Sequence, residues 1–209
     1  MIKNIVFDMG QVLIRFDREI FMDRVGVTDP ADRELLSREV FLSLEWSRMD
    51  RGSLADTEAA EIICRRVPER LHDAVFKLVT FWDRPILEIP GVYELIEELK
   101  ENGYAIYLLS NASLRQHEYW PRIPASRFFD GTLVSADVKL VKPQPEIFLL
   151  LCMKFGLRPE ECFFVDDATL NAEAAYMCGM QTAVFHGDAA ELRRKLIEAG
   201  VKLSPAGNR

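Results

Sequence analysis

Short apolar runs alternate with longer amphipathic segments through the second half of the chain. Apolar, β-favouring residues occur at 5–7, 105–109, 132–135, 162–165 and 182–185. Runs of this length without polar alternation predict strands that are buried on both faces. Between them, apolar residues recur at helical spacing, as at Val92, Leu95, Ile96 and Leu99. Strands that alternate with helices predict an α/β fold with a doubly wound, mostly parallel sheet.

Residues 16–84 have a different pattern, in which apolar positions follow helical spacing and no strand is predicted. Three helix starts are expected there: at Asp29 and Pro30, at Ser53 as an N-cap, and at Pro68. A crossover between parallel strands needs only about a dozen residues, whereas roughly seventy follow the first strand. We therefore predict an α/β core made of residues 1–15 and 85–209, with an all-helical insert at 16–84.

Composition restricts the partners. The 209 residues, 49% of them hydrophobic, suffice for one large domain or a core with an insert, and the net charge of −7 does not favour nucleic acid or an anionic membrane. No apolar run is long enough to span a membrane. Four scattered cysteines predict reduced thiols and a cytoplasmic protein. Residues 204–209 are expected to form a loose tail, and the sequence leaves the oligomeric state open.

Polar residues follow the predicted strands at the point where each strand ends. Asp8 follows the first strand, Ser110 the second, and the pair Asp166 and Asp167 the fourth. The carboxyl ends of parallel strands meet at one edge of the sheet, where ligands bind. Several carboxylates there require a cation, and oxygen ligands suit Mg²⁺. The three histidines have no metal-binding spacing.

This combination of groups suits phosphoryl transfer. A carboxylate such as that of Asp8 can attack phosphorus and form an aspartyl-phosphate. The transferred group spreads negative charge over its oxygens, so catalysis needs hydrogen-bond donors and cations around them. Ser110 offers a hydroxyl, and Lys142 offers an ammonium beside the helix start at Pro143.

Four segments in order resemble the signature motifs of the haloacid dehalogenase (HAD) superfamily. They are Phe-Asp-Met-Gly-Gln-Val-Leu at 7–13, Leu-Leu-Ser-Asn at 108–111, Val-Lys-Pro at 141–143, and Phe-Val-Asp-Asp at 164–167 with Asn171. The resemblance implies a Rossmann-like core and, at 16–84, a mobile cap that closes over the site and selects the substrate.

The resemblance also assigns roles to residues. It implies that Asp8 is the nucleophile and a metal ligand, and that Ser110, Asn111 and Lys142 hold the phosphoryl group. Asp167 and the carbonyl of Gly10 would complete a Mg²⁺ site. Asp166 and Asn171 would orient the site from behind these ligands.

Gly10 departs from the family pattern. Phosphatases of the superfamily usually carry there a second Asp, which acts as general acid and base, and such help typically contributes about 10²–10⁴-fold to the rate. The chain is most similar to a bacterial subgroup that includes sugar-1-phosphate phosphatases and the N-terminal domain of mammalian soluble epoxide hydrolase. Some members of that subgroup also carry Gly at this position.

The expected activity is therefore Mg²⁺-dependent hydrolysis of a small phosphorylated metabolite, with a sugar phosphate as one candidate. Two alternatives stay open: a metal-independent 2-haloacid dehalogenase that uses Asp8 on carbon, and a phosphate-binding regulatory protein of the same fold. The paired carboxylates of Asp166 and Asp167 oppose the first alternative. Substrate selection is expected from residues of the insert and of the loop after the second strand. These candidates are Arg15, Glu45, Trp46, Arg48, Arg115, His117, Tyr119 and Trp120.

Overall fold

A computed structural model describes residues 1–203 and contains one five-stranded sheet, in which all strands are parallel. The strand order is β3-β2-β1-β4-β5. The strands are β1 (Asn4–Phe7), β2 (Ala105–Ser110), β3 (Gly131–Val134), β4 (Cys162–Asp166) and β5 (Gln181–Val184). The predicted doubly wound α/β fold is confirmed. The prediction for residues 204–209 lies outside the described residues.

The central strand β1 has its neighbours in register on both sides. Phe7, its last residue, pairs with Leu108 of β2 and with Val165 of β4. Polar residues that follow Phe7 and end β2 and β4 are consequently brought to one edge of the sheet.

Helices lie in the insert and on both faces of the sheet. Those of the insert are α1 (Arg18–Arg24), α2 (Pro30–Leu36), α3 (Leu44–Asp50), α4 (Asp56–Cys64) and α5 (His72–Thr80), with a π-helical turn at Ser37–Phe41. Those after the insert are α6 (Val92–Glu101), α7 (Gln116–Tyr119), α8 (Ser135–Val138), α9 (Pro145–Phe155), α10 (Thr169–Met177) and α11 (Ala189–Glu198). None of the helices within residues 1–203 combines the length and the apolar character needed to cross a membrane.

The two faces of the sheet carry separate apolar layers. Ile5 and Phe7 pack with α6 and α11, whereas Val6 between them packs on the other face with α9 and α10. Because successive strand side chains point to opposite faces, an uninterrupted apolar run is what a strand covered on both sides requires. This is why the sequence pattern predicted the strands correctly.

The insert has an apolar cluster of its own, which includes Met22, Leu36, Ile63 and Leu78. An all-helical segment with its own core matches the expected insert, while the domain limits of 16 and 84 stay a prediction. The expected start of α2 is confirmed, since Asp29 caps it and Pro30 is its first residue.

The prediction of Ser53 as an N-cap is wrong. Helix α4 starts at Asp56 after Ala55, which has no capping side chain. The Ser53 hydroxyl instead donates to the carbonyl of Arg48 at the end of α3. Ser53 therefore closes the preceding helix rather than opening the next one.

Candidate active site

Asp8 is held at the carboxyl edge of the sheet by its backbone. Its amide donates to the Val165 carbonyl at 2.8 Å, which extends the pairing of β1 with β4 by one residue. A tight turn then folds the chain back, with the amides of Leu13 and Ile14 donating to the Met9 carbonyl. The side chain of Asp8 is directed into the crevice and is 9% exposed as a residue.

Lys142 joins two of the predicted carboxylates. Its Nζ lies 2.7 Å from Oδ1 of Asp8 and 2.6 Å from Oδ2 of Asp166. All three side chains are buried, with exposed fractions of 1% for Lys142, 12% for Asp8 and 0% for Asp166. One buried cation thus stands between two carboxylates, and the group as a whole carries excess negative charge.

This charge balance shifts the pKa values of the site. Burial raises the pKa of the Asp8 carboxyl to about 7; the ammonium of Lys142 opposes that rise and the charge of Asp166 adds to it. Burial acts to lower the pKa of Lys142, but the charges of Asp8 and Asp166 outweigh it, so that pKa is raised. Burial and the charge of Asp166 also raise the pKa of Asp167. A further cation would relieve the repulsion.

The carboxylates fit a metal ion. One oxygen each from Asp8, Asp166 and Asp167 lies within 4.8 Å of the others. Asp166 already uses both oxygens, since Oδ2 binds Lys142 while Oδ1 accepts from the Ala168 amide and from Nδ2 of Asn171, both at 2.9 Å. Asp8 and the exposed Asp167 therefore suit direct ligation, and an all-oxygen donor set suits Mg²⁺.

Ser110 carries an unused hydroxyl beside this group. The residue is 1% exposed, and its Oγ has no hydrogen-bond partner within residues 1–203. A buried hydroxyl without a partner costs free energy, and a bound anion would satisfy it. The predicted contact of Ser110 with a phosphoryl oxygen stays a prediction.

Asn111 has its amide group committed to the backbone of Lys142. Its Nδ2 donates to the Lys142 carbonyl at 2.9 Å, and its Oδ1 accepts from the Lys142 amide at 2.8 Å. Asn111 also lines the cavity. Its side chain therefore fixes the position of Lys142, and its predicted contact with substrate stays a prediction.

A cavity of about 230 Å³ opens above these residues, between the sheet edge and the insert. The core contributes three groups of lining residues: Asp8–Gln11, Asn111–Ser113 and Asp167, together with Tyr119. The insert and its flanks contribute Phe16, Trp46, Met49, Asp50, Asp56, Val79 and Trp82. Gly10 lies in this lining, and its role as a carbonyl ligand stays a prediction. Aromatic side chains and carboxylates together therefore line the cavity.

Of the eight predicted selectivity residues, Trp46 and Tyr119 line the cavity. Arg15 lies in a neighbouring groove beside Asp167, and Arg48 is exposed. The others are engaged elsewhere: Glu45 with Arg66, Arg115 with Asp83, His117 with Asp137, and Trp120 with Phe129. Within the described residues, Trp46 and Tyr119 are thus the two of the eight that line this cavity, and the role of all eight in selecting the substrate stays a prediction.

Sequence reasoning missed Asp50 and Asp56. Neither belongs to a recognisable motif. One signal was available for Asp50: it is the last residue of α3, where the helix dipole disfavours a negative charge. A carboxylate at that end of a helix, next to the turn at Gly52, is unfavourable locally and suggests a role beyond stabilising the helix.

Several polar contacts attach the insert to the core around the cavity. The Ser135 hydroxyl donates to the Asp50 carbonyl at 2.5 Å and accepts from the Ala112 amide at 2.9 Å. The Ser113 hydroxyl donates to Oδ2 of Asp56 at 3.0 Å. The end of α3 and the start of α4 are therefore fixed against the segments that follow β3 and β2, respectively.

A buried ion cluster fixes the end of the insert as well. Asp83 is 1% exposed and accepts from Nη2 of Arg115 at 2.9 Å and from Nη2 of Arg122. Arg115 also donates to the carbonyl of Val79 in α5. The segment after β2 is thereby bound to the last helix of the insert.

The chain matches proteins of known family. A family model described as haloacid dehalogenase-like hydrolase matches residues 2–179. The phosphoglycolate phosphatase of Haemophilus influenzae is 27% identical over 145 residues, covering 66% of this chain and 58% of the relative. The (S)-2-haloacid dehalogenase 4A of Burkholderia cepacia is 31% identical over 199 residues, covering 87% and 81%. The chain spans about half the length of several curated relatives that it matches.

Solved structures agree with this assignment. A HAD family enzyme from Bacteroides thetaiotaomicron, crystallised with magnesium and inorganic phosphate, is 27% identical; the comparison covers 92% of this chain and 99% of that one, with a TM-score of 0.67. The match therefore includes the insert as well as the α/β core. By its sequence, its fold and the residues at its sheet edge, this chain belongs to the haloacid dehalogenase-like hydrolases and is an enzyme of that family.

Proposed function

We propose that the protein is a Mg²⁺-dependent phosphatase that hydrolyses a small phosphorylated metabolite through a phosphorylated Asp8. The observation that carries the proposal is the contact of the Lys142 ammonium with Asp8, in one group with Asp167, at the sheet edge where β2 ends in Ser110 with an unpartnered hydroxyl. This arrangement offers a nucleophile, a metal site and donors for phosphoryl oxygens in one crevice.

The residues suggest the following division of work. Asp8 and Asp167 would hold Mg²⁺, which supplies positive charge that neutralises phosphoryl oxygens. The other carboxylate oxygen of Asp8 attacks phosphorus, and the P–O bond to the leaving group breaks. Lys142 and Ser110 bind the phosphoryl oxygens, while Asn111 and Asp166 keep Lys142 in place. Water then attacks phosphorus and releases phosphate from Asp8.

The cavity size and lining support a small substrate with an apolar face. Phe16, Trp46 and Trp82 provide aromatic surface, and Asp50 and Asp56 can accept hydrogen bonds from hydroxyl groups. A phosphorylated sugar or a similar polyhydroxylated alcohol has both features. Relatives named phosphoglycolate phosphatase and phosphorylated carbohydrates phosphatase act within the same broad class of small phosphate esters.

A 2-haloacid dehalogenase is the second candidate, because the match to a relative of that name covers 87% of the chain. The charge of the cavity opposes it. Four carboxylates line the cavity, from Asp8, Asp50, Asp56 and Asp167, and within the described residues no arginine or lysine is part of that lining. A carboxylate substrate would have to enter against this negative charge.

A reducing compartment fits the thiols. Cys64, Cys152, Cys162 and Cys178 are free, and three of them are buried. A cytoplasmic location, where thiols stay reduced, is therefore the one that we propose.

The test is hydrolysis of p-nitrophenyl phosphate by the full chain, with Mg²⁺ or with a chelator. We expect Mg²⁺-dependent turnover, its loss in Asp8→Asn, and loss of Mg²⁺-dependent thermal stabilisation in Asp167→Asn. Turnover by folded Asp8→Asn would contradict the proposal. Chelator-resistant halide release from 2-chloropropionate would favour the dehalogenase, and phosphate binding without any turnover would favour a regulatory protein.

A further inference from the structure

The active-site turn lacks an acid where phosphoryl transfer to and from Asp8 needs one. Position 10 is glycine and offers no side chain to the leaving group. A leaving alkoxide must gain a proton, and the water that frees Asp8 must lose one. Another carboxyl group of the cavity lining must therefore donate and accept these protons.

Asp50 is the carboxylate of the cavity wall that has no other engagement. Asp8 and Asp167 belong to the metal group, and Asp56 accepts from the Ser113 hydroxyl. Asp50 lies outside the metal group, and within residues 1–203 its carboxylate forms neither a hydrogen bond nor an ion pair. It lines the same cavity as Gly10, on the side of the insert.

The backbone of Asp50 is held in place from the core. The Ser135 hydroxyl donates to the Asp50 carbonyl. Nζ of Lys139 donates to the carbonyl of Gly52, which lies two residues after Asp50. Arg51, between them, donates to the Lys139 carbonyl at 3.3 Å. Three contacts to the segment after β3 thus fix the end of α3, although the carboxylate itself remains unpaired. This is the arrangement expected of a group that is positioned to react.

We propose that Asp50 donates a proton to the leaving oxygen and then accepts one from the attacking water, the role for which position 10 has no side chain. This inference rests on the proposed phosphatase function. As Asp8 forms its bond to phosphorus, the P–O bond to the alcohol breaks, its electron pair stays on the leaving oxygen, and the Asp50 proton moves to that oxygen. Water then attacks phosphorus, its proton passes to Asp50, and the bond to Asp8 breaks, which releases phosphate and restores both carboxyl groups.

The surroundings of Asp50 suit this proton exchange. Burial raises the pKa of its carboxyl to about 7; the charges of Asp56 and Asp8 add to the rise and Lys142 opposes it. Tyr119, on the segment after β2, also faces this group, and its own pKa is raised well above 10 by burial and by the charge of Asp50. Tyr119 therefore remains neutral, whereas the Asp50 carboxyl can exchange a proton near neutral pH.

The test compares two substrates of almost the same shape. Phenol leaves less readily than p-nitrophenol, so phenyl phosphate needs the acid more than p-nitrophenyl phosphate does. In Asp50→Asn we expect kcat/KM to fall by about 10²-fold or more for phenyl phosphate and by less than about 10-fold for p-nitrophenyl phosphate. A burst of p-nitrophenolate should appear, because release of phosphate from Asp8 is slowed.

Two further variants sharpen the result. Glu58→Gln removes an exposed charge from the first turn of α4, outside the cavity lining, and should leave the wild-type ratio between the two substrates unchanged. Asp50→Asn combined with Gly10→Asp should regain activity on phenyl phosphate. A Cβ at Gly10 would meet no atom within 4 Å, so the turn has room for the first atom of the added side chain.

The outcomes separate the two proposals. Equal losses on both substrates in Asp50→Asn, or no loss on either, would overturn the role of Asp50 while leaving the phosphatase function in place. A folded variant with both Asp50→Asn and Gly10→Asp that regains no activity on phenyl phosphate would contradict the claim that Asp50 takes the role of an acid at position 10. Absence of phosphate ester hydrolysis by the wild-type protein would overturn the phosphatase function and, with it, this role.

Discussion

Removing the ammonium of Lys142 should destabilise the protein strongly. Lys142→Met keeps most of the side-chain volume but removes the cation that lies 2.7 Å from Asp8 and 2.6 Å from Asp166. Breaking a buried ion pair by deleting one partner typically costs about 3–5 kcal/mol, because the remaining charge is left uncompensated. For a chain of this size that corresponds to a fall in Tm of roughly 6–20 °C.

The loss should depend on pH in a defined direction. The pKa of Asp8 is already raised to about 7, and without the ammonium it rises further. A carboxyl with a folded-state pKa above its unfolded value of about 3.9 binds more protons when folded, so its contribution to stability falls as pH rises between those values. The deficit of Lys142→Met should therefore be smaller at pH 5, where Asp8 is protonated, than at pH 8; the lost contact with Asp166 contributes at both values.

Urea denaturation at the two pH values, in the presence of a chelator, measures this effect. Lys77→Met is the matched control, because Lys77 pairs with Asp73 in an exposed i,i+4 bridge at 2.6 Å. Such pairs are worth about 0.3–0.5 kcal/mol. A free energy of unfolding at pH 8 that falls no further in Lys142→Met than in Lys77→Met would refute the reasoning, as would a deficit that is larger at pH 5.

Three other changes test separate parts of the structure. Ser110→Ala removes a buried hydroxyl without a partner, so the free energy of unfolding should stay equal or rise by up to about 1 kcal/mol. Calorimetry with Mg²⁺ should record weaker binding of inorganic phosphate to this variant. A clear loss of stability would show that the hydroxyl has a partner. Asp83→Asn leaves two arginines with a neutral partner at a buried site and should cost about 3–5 kcal/mol in urea denaturation; a cost below 1 kcal/mol would contradict the buried cluster. Gly52 has a φ of +67°, and a Cβ there would lie 2.2 Å from the carbonyl oxygen of Ala136. Gly52→Ala should therefore displace the connection between α3 and α4 and lower kcat/KM. Gly26→Ala, at an open site of similar φ, is the control and should leave kcat/KM unchanged.

The sheet and the groups at its edge could be predicted because their signals are local. A strand covered on both faces needs an uninterrupted apolar run, and the residues after Phe7 and at the ends of β2 and β4 are read directly from the sequence. Parallel pairing then brings these residues together whatever the loops do. Asp8, Ser110 and Asp166 could be identified in this way, whereas Lys142, which does not follow a strand, was identified from its own motif.

The wall of the cavity could not be predicted in the same way. Asp50 reaches it because Ser135 and Lys139, far along the chain, hold the end of α3, and no local pattern encodes such long-range contacts. Arg115 illustrates the opposite error. Its position after β2 suggested substrate binding, but a buried partner in Asp83 engages it. Which charged residue stays free for chemistry depends on pairings between distant segments.

The place of β1 in the sheet has a consequence for synthesis of the protein. Residues 4–7 hydrogen-bond to residues 105–108 on one side and 162–165 on the other. At about 5–20 residues per second, the ribosome needs on the order of 10–30 s to supply both neighbours. The helical segment, whose contacts are mostly local, can fold during this interval, whereas β1 lacks its partner on the β4 side until the end of it. Nascent chains halted before residue 162 should therefore bind chaperones through β1, and release should come only when β4 emerges.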